Sequence, residues 1–314
     1  DSGIIDSIYG ATELEVGSHH WNFADRPLVR HRTKIVDIID NTVLLASPLP
    51  HPVSAEVPAD IAPWEPLERV GIEDLRLTFP DAAVFGHHVE QGYNGIYFTD
   101  SADGWVRNVT VTNADAGILT DGSAHLTFAD LKFDGSRKAH YAVHMGSVGN
   151  VLAERIDIFM PVVHSLTFNT KSVRSVYKDS VVRTAPVIDQ HAGSNHQNLF
   201  DNITLHLSAG EEEGVPSYKV FDGSGAPYWQ PGHGRYNTIW NLKLVVEGGM
   251  PAGESLAVLG LAEGPDARVI GLHANRPVTL DYRPAPLVSH LGERVMEIPS
   301  LYDHQLRARM VEGE

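Results

Sequence analysis

Histidine and basic side chains crowd one part of this chain. Between residues 137 and 196 the stretches SRKAHYAVHMG, PVVHSLTFNTKSVRSVYKDS and VIDQHAGSNHQN supply Arg137, Lys138, His140, His144, His164, Lys171, Arg174, Lys178, His191 and His196. The chain as a whole carries a formal net charge of −16, so this is a local reversal of sign. Imidazoles beside cations suit β-elimination in a uronic-acid chain. A base removes the proton α to the carboxylate, and a cation or strong donor neutralises that carboxylate so that the proton becomes acidic. Histidine titrates near neutrality and serves as the base; arginine or lysine serves as the neutraliser. His140 and His164 stand 24 residues apart and His191 follows 27 later, a spacing that places them on adjacent turns of a repeating structure. His164 and His191 are the expected proton-transfer groups, with Lys171 and Arg174 as neutralisers or sugar ligands. Arg137, Lys138, His140 and His144 are expected to line the substrate. The plain alternative for each is a solvated face or turn residue.

Other chemistries are less well supplied. Hydrolysis of a glycoside needs two carboxyl groups facing one groove, and Asp157, Asp179, Asp189 and Asp201 are the candidates. Three of them, Asp157, Asp179 and Asp201, fall inside a repeated motif where a polar residue is expected anyway. APYWQPGHGRYN (226–237) carries Tyr228, Trp229, His233 and Arg235, an aromatic platform with polar neighbours for a sugar, or else a cap on an apolar core. The GHG at 232–234 resembles a polygalacturonase motif, but no paired DD precedes it. Zero cysteines exclude disulfides, thiolate zinc sites and cysteine nucleophiles. No metal ligand set and no cofactor motif is read. DGSG (222–225) is too short for a calcium cage, so calcium is unsupported. The acidity argues against nucleic acid as a partner. No stretch reaches the roughly 18 consecutive apolar residues of a membrane span.

The elements that must position these groups show in a repeat. IEDLRL (72–77), VRNVTV (106–111), FADLKF (128–133), AERIDI (153–158), YKDSVV (177–182), FDNITL (200–205) and IWNLKL (239–244) share one polar and apolar pattern. Four consecutive spacings fall between 22 and 25 residues, and the two longer ones mark insertions. A second series lies between the first: GIYFT, GILTD, YAVHM, SLTFN, PVIDQ and YKVFD. Each repeat therefore holds at least two short strands of period 2 joined by Gly, Asn, Asp and Ser turns. Neither strand buries its apolar face alone, but equivalent strands stacked about 4.8 Å apart form a continuous core. The expected fold is all-β, a right-handed parallel β-helix, with a β-sandwich as the alternative.

Residues 1–65 lack the repeat and read as an N-terminal β subdomain or cap, with a hairpin around Asp40 and Asn41. Residues 66–285 are the expected β-helix, and 286–314 a tail ending in a short helix. In SLYDHQLRARM (300–310) Leu301, Leu306 and Met310 are expected to face inward. DSGIIDSIYG lacks a basic start and an apolar run, so no signal peptide is read there.

GWVRNVTV, VVHSLTF, HAGSNHQNLFDNI, GHGRYNTIWN and SLYDHQLRARM resemble bacterial β-helix proteins of the pectate lyase superfamily, over roughly residues 65–310. The resemblance implies a carbohydrate-active β-helix and places His164 and His191 at two of the group's histidines; the expected location is secreted or periplasmic in a bacterium. HAGSNH stands where the group has His-His-Arg-Trp, and Val163 where it has a basic residue. The expected function is a polysaccharide lyase on a uronic-acid-containing glycan. The alternatives are a glycoside hydrolase on the same scaffold and a non-catalytic carbohydrate-binding or tailspike-like module. The expected partner is a polysaccharide, and a homo-oligomer is compatible with the solenoid.

Overall fold

The third residue of every repeat motif has a left-handed backbone: Asp74, Asn108, Asp130, Arg155, Asp179, Asn202 and Asn241 have φ between 47° and 58°. Asp and Asn are the side-chain-bearing residues that adopt this conformation most readily. Each motif is thus two short strands meeting at a corner. The corner residues bond along the stack, Asn108 Nδ2 to Asp74 Oδ1 at 2.7 Å and Asn202 Nδ2 to Asp179 Oδ1 at 2.6 Å. Arg155, the one long side chain, lies along the carboxylate of Asp130. Behind five of the corners the next residue turns inward, and Val109, Leu131, Ile156, Ile203 and Leu242 are buried in one continuous core, whereas Leu75 on the first rung stays exposed. Ser180 takes the same place and satisfies its hydroxyl on Lys178 O and Ile156 N.

The computed structural model of the chain describes residues 2–10, 17, 27–83, 86, 88–191, 193–222, 227–260 and 263–312. They form a right-handed parallel β-helix. One face is a six-stranded parallel sheet, from Asn94–Thr99 through Ala116–Asp121, Ala139–Met145, Val162–Asn169 and Ile188–His191 to Phe221–Asp222. The repeat motifs make a thirteen-stranded sheet bent at the corners. The third face begins with Leu67–Glu68 beside Ser101–Ala102 and continues as single bridges through Ala124, Gly149, Val173 and His196. Gly117 shows how closely the faces approach, since a Cβ there would meet the Phe133 ring at 2.2 Å. The stack continues beyond 285 to Leu287–Ser289, which pairs with Arg268–Ile270. Gly271 and His290 repeat the left-handed corner there.

The N-terminal segment holds a hairpin and a helix. Its hairpin, Ile35–Ile39 with Thr42–Leu45, is antiparallel as expected, but a helix, Ser2–Tyr9, precedes it. The segment lies along the flank of the third face. Ile8 O accepts from Arg235 N, Leu28 O from Ser194, and Pro48 O and Leu49 O from Arg174. At the other end, Leu301–Glu312 is a helix held by its first turn. Asp201 accepts from Ser300 Oγ and from the backbone N–H groups of Leu301 and Tyr302. Leu301 packs against Leu199, Trp240 and Val295. Leu306 and Met310, expected inside, are exposed, while Leu301 and Tyr302 of the first turn pack against the solenoid.

The corner geometry has a measurable consequence. Replacing Asn108 by Val puts a β-branched residue at φ 52° and should lower unfolding stability by about 1–2 kcal/mol more than Asn108→Gly does. Denaturant midpoints of the two variants provide the check.

Candidate active site

On the six-stranded sheet, side chains alternate between the core and the outer surface. Leu166, Phe168 and Ile188 point into the core, leaving Thr167 and Asp189 on the outer face. His144, Thr167 and Asp189 are in register on three successive rungs. Tyr141 is in register with His164, and Asn169 with His191. The ladder thus gathers residues from three distant stretches, and the aromatic rings make contact. Tyr141 stacks on His140 at 4.2 Å and on His164 at 5.0 Å between centroids, and His164 meets His191 edge-on at 4.9 Å.

Asp189 is the centre of the group. It is 0% exposed, with Oδ2 3.1 Å from His164 Nδ1 and Oδ1 3.5 Å from His191 Nδ1. Burial pushes its carboxyl up, yet the two imidazoles outweigh that and hold it near 2. It is therefore an anion at neutral pH. A carboxylate against Nδ1 favours the tautomer whose lone pair is on Nε2, the arrangement of an oriented base. His191 is the more open of the two, with 27% of its side chain accessible against 6% for His164. Tyr141 keeps its proton: burial, then the charges of Asp189 and Glu90, raise its pKa. His140 faces Glu90 at 2.9 Å. His144 is held down to about 4, chiefly by burial, and is neutral at pH 7. His164, Asp189 and His191 also present ligand atoms within 4.8 Å of one another, a spacing open to a metal ion.

Several expected site residues stand elsewhere. Arg137, expected at the substrate, is buried, with its guanidinium on Asp115 and on the Ala82 carbonyl. A guanidinium sealed inside must be paired, and Asp115 serves that need. His233, also expected at the surface, is buried with Nε2 2.6 Å from the Tyr282 hydroxyl. Arg174 holds the N-terminal segment and Gln197. Lys171 stands at φ 65° in the turn that follows Asn169, the register partner of His191. Lys138 is exposed just before His140. Tyr228 and Trp229 form one short helical turn with ring centroids 6.0 Å apart, and Arg235 pairs with Asp266. Gly223, Ser224 and Gly225 of DGSG, and Ala192, lie outside the described residues.

Of the aspartates considered for hydrolysis, three are on the thirteen-stranded sheet with partners of their own. Asp157 is bidentate with Arg183, Asp179 pairs with Lys178, and Asp201 caps the C-terminal helix. Asp189 is the one on the six-stranded sheet. The sequence pattern did not single out Tyr141, Glu90 or Tyr97. Tyr97 is 58% exposed and continues the outward row of His144 through Leu119. Its signal was the outward position in GIYFT. A cleft of about 600 Å³ on the other sheet is lined by Glu73, Asp103, Trp105 and Arg107. Its charges are paired, Glu73 with Arg107 and Asp103 with Lys34, so it carries less chemistry than the histidine cluster.

Among the described residues five imidazoles are kept neutral mainly by burial: His144 and His233 at about 4, His196 at about 3, and His31 and His51 in the same direction, His51 facing His196 at 2.7 Å. Each folded value lies below the unfolded 6.5, so this stability is intact above pH 6.5. It is lost as pH falls through 4 and 3, where the unfolded chain binds more protons. Asp189 adds the same sign lower, between 3.8 and about 2. Urea midpoints should therefore fall steadily from pH 7 to pH 4, and His196→Gln should flatten that slope.

No family model matches the chain, and no curated protein matches it. Among solved structures, the C387A mutant of DFA-IIIase from Arthrobacter chlorophenolicus A6 is similar at 11% identity, with a TM-score of 0.38. The match covers 79% of this chain and 61% of that one. A superposition this loose carries nothing about activity, which must be argued from the cluster itself.

Proposed function

We propose that this protein is a carbohydrate-active enzyme of the pectate lyase superfamily type, a polysaccharide lyase that cleaves a uronic-acid-containing glycan by β-elimination. One observation carries the reading: an accessible imidazole, His191, backed by a buried anionic carboxylate and standing in a ring cluster with a phenol that keeps its proton. His191 Nε2 takes the proton from the carbon α to the uronate carboxylate. Tyr141 gives its proton to the departing glycosidic oxygen. Lys171, in the turn beside the rung of His191, neutralises the carboxylate, and His164 shares with His191 the charge of Asp189. Tyr97, on the same outward row about two rungs or ~10 Å from His144, offers an apolar ring face to a neighbouring sugar unit. The glycan lies across the rungs of the six-stranded sheet, where the outward row repeats at about 4.8 Å. Imidazole and phenol, in place of two facing carboxyls, favour elimination over hydrolysis.

The test is a panel of uronic-acid and neutral polysaccharides read by ultraviolet absorbance and by reducing ends in parallel. Elimination leaves a conjugated double bond. New absorbance with new reducing ends is expected, reduced ~10²–10⁴-fold in His191→Ala and in Tyr141→Phe. Lys171→Ala should slow cleavage of uronates. New reducing ends without absorbance would identify a hydrolase, and silence of both across the panel would leave a binding module.

A further inference from the structure

The spacing around Asp189 fits more than proton transfer. His164, Asp189 and His191 offer ligand atoms within 4.8 Å of one another, and two of the contacts are 3.1 and 3.5 Å. Atoms sharing one first-row ion at about 2.0–2.2 Å stand roughly 3–3.5 Å apart, so those two contacts already match. The scaffold holds all three. Asp189 and His191 are two residues apart on one strand, hence on one face, and His164 comes from the neighbouring rung. Both Asp189 oxygens are enclosed, and neither receives an aligned hydrogen bond. The hydroxyl of Thr167, register partner of Asp189, is likewise enclosed without a hydrogen-bond partner, on a side chain that is 0% exposed. Buried polar atoms in that state point to a ligand.

We infer that His164, Asp189 and His191 bind one divalent transition-metal ion of the zinc type, and that binding it shuts the site down. Two imidazoles and one carboxylate suit zinc, cobalt or nickel, whereas calcium and magnesium take oxygen ligands. Three protein ligands leave coordination positions for water, and Thr167 Oγ1 supplies an enclosed polar partner for it. The inhibitory part rests on the proposed elimination. A neutral imidazole has one lone pair, so a ring that coordinates a metal no longer accepts a proton.

Binding is tested without substrate, on tag-free full-length protein freed of metal by chelation. Cobalt(II) is titrated by visible absorption and zinc(II) by calorimetry. One ion per chain is expected, with affinity reduced about 100-fold or more in His191→Gln and in His164→Gln. His206→Gln, at a surface pair with Glu247, should bind as the parent does, and near-ultraviolet circular dichroism confirms that each variant is folded. Absence of uptake, equal uptake by both cluster variants, or displacement of the ion by calcium would overturn the site. In the lyase assay, zinc should suppress cleavage and a chelator restore it; stimulation by zinc would overturn the inhibitory role. Metal uptake by a protein that cleaves no glycan would leave the site standing and remove the elimination reading, so the two fail separately.

Discussion

The parallel hydrogen-bond ladder between successive rungs governs the rest of this molecule. It fixes register, and register brings residues two dozen positions apart in the chain to within about 5 Å of each other. His144, Thr167 and Asp189 become neighbours for that reason alone. The ladder also requires every rung to turn at the same place. The left-handed corners, Asp or Asn at all but Arg155, meet that demand at each repeat, and side chains there bond along the stack. A corner that slipped by one residue would exchange inner and outer faces on its rung, removing core and site together.

The outer face of the six-stranded sheet carries a cost that the core does not. Asp189 is a buried anion, tolerable because two imidazoles meet it. Of those imidazoles His164 stands against the Tyr141 ring and His191 against His164, while His140 stands against Glu90. A group of this kind is held by its neighbours more than by its own strand, and its protonation states are coupled. The proposed chemistry and the proposed metal site both draw on the same lone pairs, which is why they exclude one another.

The flank and the ends follow a different logic. Arg174 and the pair of His51 with His196 tie the N-terminal segment to the third face. Arg174 and His196 sit within the chemically rich stretch of the sequence but serve attachment. Arg137 and Asp115 make a sealed ion pair inside the wall. Breaking such a pair leaves a buried charge without a partner, so both residues carry structural weight.

What the sequence determined by itself was the repeat, and with it the fold. Spacings of 22–25 residues, period-2 strands and Asp or Asn at six of the seven corners are local properties, set by backbone sterics and by which side chains tolerate positive φ. The same spacing placed His140, His164 and His191 on successive rungs of one sheet. Tertiary structure alone decided what each of them faces. Whether a polar side chain points to solvent, into the wall or at a flanking segment depends on partners far away in the chain, such as Asp115 for Arg137, Pro48 and Leu49 for Arg174, and Tyr282 for His233. Composition counted these groups as one basic cluster. Packing divided them into a histidine cluster around Asp189, a clamp on the N-terminal segment and a buried ion pair, because desolvation obliges each buried polar group to find its own partner.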